Sequence, residues 1–202
     1  MIGAADSGVE CGVTRARPLL VIVSGAPATG KTTLAGRLSE ALPLPLLAKD
    51  EFREILADAF EARTLAESWA LVPATFAVYH AVLARLLAAG VGVIAECNYF
   101  RGVAEHDLRP LVAQARAVVV HCQTARELSV RRFIERHRRG GRHPCFFDGE
   151  RVRSLLAGEP QEPWDKAEPV ELGLPTLRVD KTDGYAPAFD AIVSFIRSAG
   201  SE

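Results

Sequence analysis

Short apolar runs alternate along the chain with longer stretches whose apolar positions recur every three or four residues. The runs are "LLVIVS" at 19–24, "PLPLLA" leading to Lys49 and Asp50, "GVGVIAE" ending at Glu96, "AVVVHC" at 117–122 and "PTLRVD" at 175–180. Runs of this length predict buried strands, and the longer periodic stretches predict helices over 31–42, 51–60, 66–89, 104–115, 124–138, 149–157 and 186–198. Pro73 interrupts or kinks the long alanine-rich helix. Thr124 with Glu127 forms a capping-box signature at a helix start, and Gly140, Gly141 and Pro144 break the chain after Arg138. Strands alternating with helices predict an α/β three-layer sandwich: a mainly parallel five-stranded sheet with helices on both faces. Right-handed crossovers then bring all the strand carboxyl ends to one edge, where open sheets bind ligands. Asp50, Glu96, Cys122 and Asp180 fall at such ends.

Composition adds limits. The 202 residues are 49 % hydrophobic and 24 % charged, enough to bury the core of one domain. Residues 1–17 read as a disordered leader without a signal-peptide core, and 18–202 as the domain. No apolar stretch is seen to reach the roughly 18–20 residues of a membrane span, so a cytoplasmic protein without a membrane partner is expected, as a monomer or homodimer. Cys11, Cys97, Cys122 and Cys145 show no C-x-x-C pair. A formal net charge of −1 argues against broad electrostatic capture of nucleic acid. The arginines are nevertheless concentrated: Arg126, Arg131, Arg132, Arg136, Arg138, Arg139, Arg142, Arg151 and Arg153 crowd one segment.

The chemistry is concentrated in "SGAPATGKTTL" at 24–34. The spacing Gly25-x-x-x-x-Gly30-Lys31-Thr32 is a complete Walker A pattern, placed between an apolar strand and an amphipathic helix. Such a loop, with Ala28, Thr29, Gly30 and Thr33, turns backbone N–H groups onto the phosphates of ATP. Lys31 reaches the β- and γ-phosphates, and Thr32 ligates Mg²⁺. Asp50, at the end of the second strand, suits a base for an acceptor hydroxyl; as an alternative it is a helix N-cap. Arg53 lies one turn further along the same face, where it either meets an anionic acceptor group or is solvated. Glu96 suits a Mg²⁺-holding role, although Asp is more usual there. Asn98 and Arg101 follow on a loop that can touch the acceptor. Arg132 and Arg136 share a helix face. With Arg139 and Arg142 flanking the Gly140–Gly141 pair, they predict an arginine-rich lid over about 136–148 that closes on ATP. Trp69, Phe76, Tyr79 and His80 are candidates for a wall of the acceptor pocket, with ordinary core packing the competing reading.

"GAPATGKTTLAGRLSEAL", "KDEFRE", "ECN" and "RRFIERHRRGGRHP" followed by Asp148 together resemble the small P-loop kinases of the polynucleotide-kinase, gluconate-kinase and chloramphenicol-phosphotransferase type. Members of that group also go under the names AAA-family ATPase and predicted kinase. The resemblance implies a P-loop NTPase fold, with Asp50 as the acceptor-activating base and Arg53 as a contact to an acceptor phosphate. It implies lid arginines at Arg132, Arg136 and Arg139, and an adenine-contacting loop at "DKTDG" that contains Asp183. The expected activity is transfer of the γ-phosphate of ATP to a hydroxyl of a small molecule or nucleotide. A polynucleotide 5′ end is a special case, weakened by the near-neutral charge and the lack of an evident stacking platform. The alternative is a non-catalytic or switch-type ATP-binding module acting through a protein partner.

Overall fold

The computed structural model describes residues 16–199; the leader expected at 1–17 lies almost wholly outside the described residues. The strands are β1 (Leu19–Gly25), β2 (Leu46–Ala48), β3 (Val93–Glu96), β4 (Arg116–Gln123) and β5 (Thr176–Asp180). The helices are α1 (Lys31–Ala41), α2 (Lys49–Ala59), α3 (Leu65–Ala70), α4 (Val72–Ala88) and α5 (Glu105–Val112), followed by α6 (Arg126–Arg139), α7 (Asp148–Leu156), α8 (Glu162–Asp165) and α9 (Phe189–Ala199).

The five strands form one sheet in the order β2-β3-β1-β4-β5, and every neighbouring pair is parallel. Alternation along β1 builds the two outer layers, because successive side chains point to opposite faces. Leu20 and Ile22 join Tyr79 and Leu83 of α4 and Leu108 of α5 on one face. Val21 and Val23 join Leu34 and Leu38 of α1 and Ile192 and Ile196 of α9 on the other. Each of these aliphatic side chains contributes about 1.5–3 kcal/mol by leaving water. A third cluster ties α6, α7 and α8 to the loop after β1. Phe133 meets Trp164 edge to face at 5.3 Å, and Ala26 and Val152 pack around them.

Three local expectations change. The stretch Leu65–Ala88 does have the length and, at a mean hydropathy of 1.6, the composition of a membrane span. It folds as two helices that meet at Leu71, and Pro73 lies in the first turn of α4, where its missing N–H costs nothing. Its Thr75, Tyr79, Leu83 and Leu87 form a buried stripe. The Thr124 capping box does not form. Ala125 occupies the cap without a side-chain bond, because the Thr124 hydroxyl is engaged with that of Thr182 at 3.0 Å. A capping box forms instead between Thr64 and Glu67 at the start of α3. Asp50 is not an N-cap either: α2 begins at Lys49, after Ala48.

Candidate active site

The loop between β1 and α1 owes its path to backbone that only certain residues tolerate. Gly25 has φ +142°, and a Cβ there would lie 2.2 Å from the carbonyl oxygen of Cys122 on β4. Gly30, at φ +84°, forms the cap of α1 without any side-chain hydrogen bond. Ala28 is held at φ +59°, a region that costs a non-glycine residue about 1–3 kcal/mol and persists where the surroundings impose it. Part of that imposition comes from Thr29, buried, whose hydroxyl donates to the Ala26 carbonyl at 2.8 Å. The first turn of α1 carries no acidic residue, so its free N–H groups face the loop without a competing carboxylate.

Around this loop, the ends of β2 and β3 supply the charged groups. Glu96 pairs in register with Val23 of β1 and Ala48 of β2. Its carboxylate is buried 3.7 Å from the Lys31 ammonium, and the Thr32 side chain favours its charged form. Burial raises its pKa; Lys31 opposes the rise and Asp50 adds to it. Two residues after β2, Asp50 is bonded on one oxygen by Lys49 and on the other by Arg142 at 2.7 Å. Burial opposes its charge, but Lys49 and Arg142, with Lys31 behind them, hold the carboxyl well below the usual range. Asp50 therefore stays ionised at neutral pH.

Arg142 is the centre of the arrangement. One arm bonds Asp50, the other bonds Asp148 at 2.7 Å, and the guanidinium lies 3.6 Å from the centre of the Phe146 ring. Arg53 donates to the Ser68 hydroxyl at 2.8 Å and sits between Trp69 and Phe146, with its Nε buried and unpartnered. Arg136 reaches the same space with its Nε also buried and unpartnered, and burial lowers its pKa. All of these groups line one cleft of about 1580 Å³ that opens beside the loop.

The structure brings together Ala28, Lys31, Thr32, Asp50, Arg53, Glu96, Asn98 and Arg136 in that cleft, with Gly25, Thr29, Gly30 and Thr33 in the loop and helix turn behind it. Arg101 does not join them. It pairs with Glu171 at 2.7 Å in a separate shallow groove. Arg132 also points elsewhere, donating to the carbonyls of Lys181 and Thr182 at 2.9 and 3.1 Å. That bond fixes the loop after β5, which carries exposed Asp183 and lays the Lys181 side chain against Gly30. Arg139 is exposed at the end of α6, outside the cleft lining. The sequence reading gives no site role to Lys49, Asp148 or Arg151, all in the cleft lining. The available signal for Lys49 was its position beside Asp50 at the strand end; the other two needed the third dimension. Of the four wall candidates, Trp69, Phe76 and His80 line the cleft, while Tyr79 is a core residue donating to the carbonyls of Glu96 and Leu47.

Among the described residues no group of three His, Cys, Asp or Glu side chains is placed to hold a metal ion by itself. The adjoining Thr32 hydroxyl and Glu96 carboxylate are oxygen donors of the kind Mg²⁺ takes, and Mg²⁺ ordinarily completes its shell with water and nucleotide phosphates. The residues present thus fit a magnesium–nucleotide complex.

The fold has solved counterparts. A candidate kinase from Chloroflexus aurantiacus is 29 % identical, with a TM-score of 0.72 over 90 % of this chain and 95 % of its own. The adenosine-phosphosulfate (APS) kinase of Mycobacterium tuberculosis, solved with AMPPNP and APS, is 17 % identical, with a TM-score of 0.59 over 92 % of this chain and 99 % of its own. A sugar kinase from Janibacter sp. is 18 % identical, with a TM-score of 0.56 over 92 % of this chain and 96 % of its own. The last two show the shared fold. No curated sequence matches the chain. The model of a family described as an AAA domain matches residues 20–158, well over half of the sequence, and the chain belongs to that family.

Proposed function

We propose that this protein is an ATP-dependent phosphotransferase that moves the γ-phosphoryl group to a hydroxyl of a small molecule or nucleotide. The observation that carries the reading is one cleft holding both a phosphate-type loop, with Lys31 at a helix N-terminus, and an ionised carboxylate, Asp50, beside it. The kinase-named structure that shares 29 % identity over nearly the whole chain supports it.

The loop N–H groups and Lys31 would bind the β- and γ-phosphates. Thr32 directly, and Glu96 directly or through water, would hold Mg²⁺, which when bound offsets phosphate charge. Asp50 would orient the acceptor hydroxyl and take its proton as the oxygen attacks phosphorus and the bond to ADP breaks. Arg136 would meet charge on the transferred group, and Arg53 an anionic part of the acceptor; both line the cleft. Lid motion over 136–148 would turn about Gly140 and Gly141, whose φ values of +71° and +91° suit glycine.

The test is transfer from γ-labelled ATP to a pooled panel of sugars, nucleosides, antibiotics and 5′-hydroxyl oligonucleotides. Asp50→Asn is expected to keep ATP binding while transfer falls about 10²-fold or more. Lys31→Ala is expected to lose both. Slow phosphate release, equal in native and Asp50→Asn protein and indifferent to every acceptor, would replace the kinase by a switch-type or non-catalytic ATP-binding module.

A further inference from the structure

Beyond Asp50 the cleft changes character. Its far wall is made by α4 and the loop after β3, and it is mostly apolar: Val72, Phe76, Tyr99, Phe100 and Val103 line it. Val103 is 66 % exposed, and Trp69 of α3, which also lines the cleft, is 52 % exposed, so two large apolar side chains of the lining stand open to water. The wall is stacked inside as well. His80 lies 5.6 Å from Phe76 and 6.3 Å from Tyr99, in the latter case with the rings nearly parallel at 12°. This compartment is continuous with the candidate base: the Lys49 ammonium, which bonds Asp50, lies 5.8 Å from the centre of the Phe76 ring.

The polar side chains beside this wall are those of Asn98, Asp107, His80 and Tyr99. A polyol held against such a wall would bury more hydroxyls than these groups can pair and leave the rest against carbon, a costly arrangement. Two polar atoms of the wall are buried without a hydrogen-bond partner: Nε2 of His80 and the hydroxyl of Tyr99. A buried, unpaired ring nitrogen beside an apolar wall is suited to a single polar atom on a ring of the ligand.

We propose that the phosphate acceptor is an aryl or heteroaryl alcohol, its ring seated against Phe76 and Val103, one ring-borne polar atom facing His80 and its hydroxyl reaching Asp50. Phe76, His80 and Val103 are then the residues that set acceptor specificity. This assignment rests on the phosphotransferase reading for the identity of the ligand as acceptor, but the ring site itself can be tested without turnover.

The experiment is calorimetric titration of the full chain saturated with AMPPNP–Mg²⁺, which keeps ligands out of the nucleotide site. The probes are indole-3-ethanol, 2-pyridineethanol and a pyrimidine nucleoside on one side, and the uncharged polyols glycerol, erythritol and xylitol on the other. At least one ring alcohol is expected to bind 10-fold or more tightly than any polyol. Val103→Ser, an exposed change that leaves the core intact, and Phe76→Ala are each expected to weaken that binding about 10-fold, in line with the loss of apolar contact in a pocket. His80→Phe should weaken the heteroaryl probe that offers a ring nitrogen more than indole-3-ethanol. Polyols binding as tightly as the ring alcohols, or ring-alcohol binding unmoved by Val103→Ser and Phe76→Ala, would overturn the inference. Ring-alcohol binding with no phosphorylated product from any acceptor would leave the ring site standing and remove the kinase reading instead.

Discussion

Gly25 is the last residue of β1, and its replacement tests how strictly the loop is built. Its φ of +142° is disfavoured for any L side chain, and the added Cβ of alanine would meet the Cys122 carbonyl, which belongs to the neighbouring strand and has no room to yield. Gly25→Ala should destabilise the fold by about 1–3 kcal/mol from the backbone conformation alone, with the clash adding to that. Urea unfolding of the two proteins checks it, and an unchanged midpoint would show that the strand end relaxes freely. The need for glycine here was legible in the sequence, because the motif spacing marks a backbone that must approach phosphate. The partners of the arginines were not. Arg132 and Arg136 stand four apart and share a helix face, yet Arg136 turns into the cleft while Arg132 reaches the carbonyls at 181 and 182. Their destinations depend on segments up to fifty residues away, which helical spacing cannot report.

At the scale of elements, Arg142 and His143 bridge the segment from α6 through Gly140 and Gly141 to α7 onto α2, the one through Asp50 and the other through Asp58 at 3.1 Å. Arg142 satisfies Asp50 and Asp148 at once, and Asp148 is only 9 % exposed, with its other oxygen unpartnered. Removing the guanidinium leaves a nearly buried carboxylate without a side-chain hydrogen-bond partner. Arg142→Ala should therefore cost about 1–3 kcal/mol in urea unfolding. Arg142→Lys should not restore it, because an ammonium lacks the planar fork that spans two carboxylates. The same substitution frees one oxygen of the candidate base, so transfer should change more than ATP binding does; equal loss in both would place Arg142 on the nucleotide. Strands and most helices were legible because their periodicity is a local property. The 66–89 helix reads as interrupted or kinked near Pro73, and its division at Leu71 follows from Pro73 taking a first-turn position. α8 was missed because one turn beginning at Glu162-Pro163 carries too little periodicity to stand out.

For the whole molecule, the position of the loop on the central strand decides how ligand binding reaches stability. β1 lies between β3 and β4, and Leu20, Val21, Ile22 and Val23 have no exposed surface. The base of the loop therefore opens only when the sheet does, whereas α7 and α8 rest on the small cluster around Phe133 and Trp164 and can open at lower cost. Nucleotide binding energy should consequently appear in the global transition. AMPPNP–Mg²⁺ at about 100 times its Kd adds about 2.7 kcal/mol. In a protein of this size each kcal/mol moves Tm by about 2–4 °C, so a rise of about 5–11 °C is expected. Lys31→Ala should abolish the rise at the same ligand concentration, and its ligand-free Tm should itself lie below that of the native protein, since the buried Glu96 carboxylate loses the ammonium 3.7 Å away. A scan by calorimetry distinguishes the outcomes. A single shifted transition places the loop in the cooperative core, and an unshifted main transition with a small early step that alone moves would place nucleotide binding on the α6–α8 side instead.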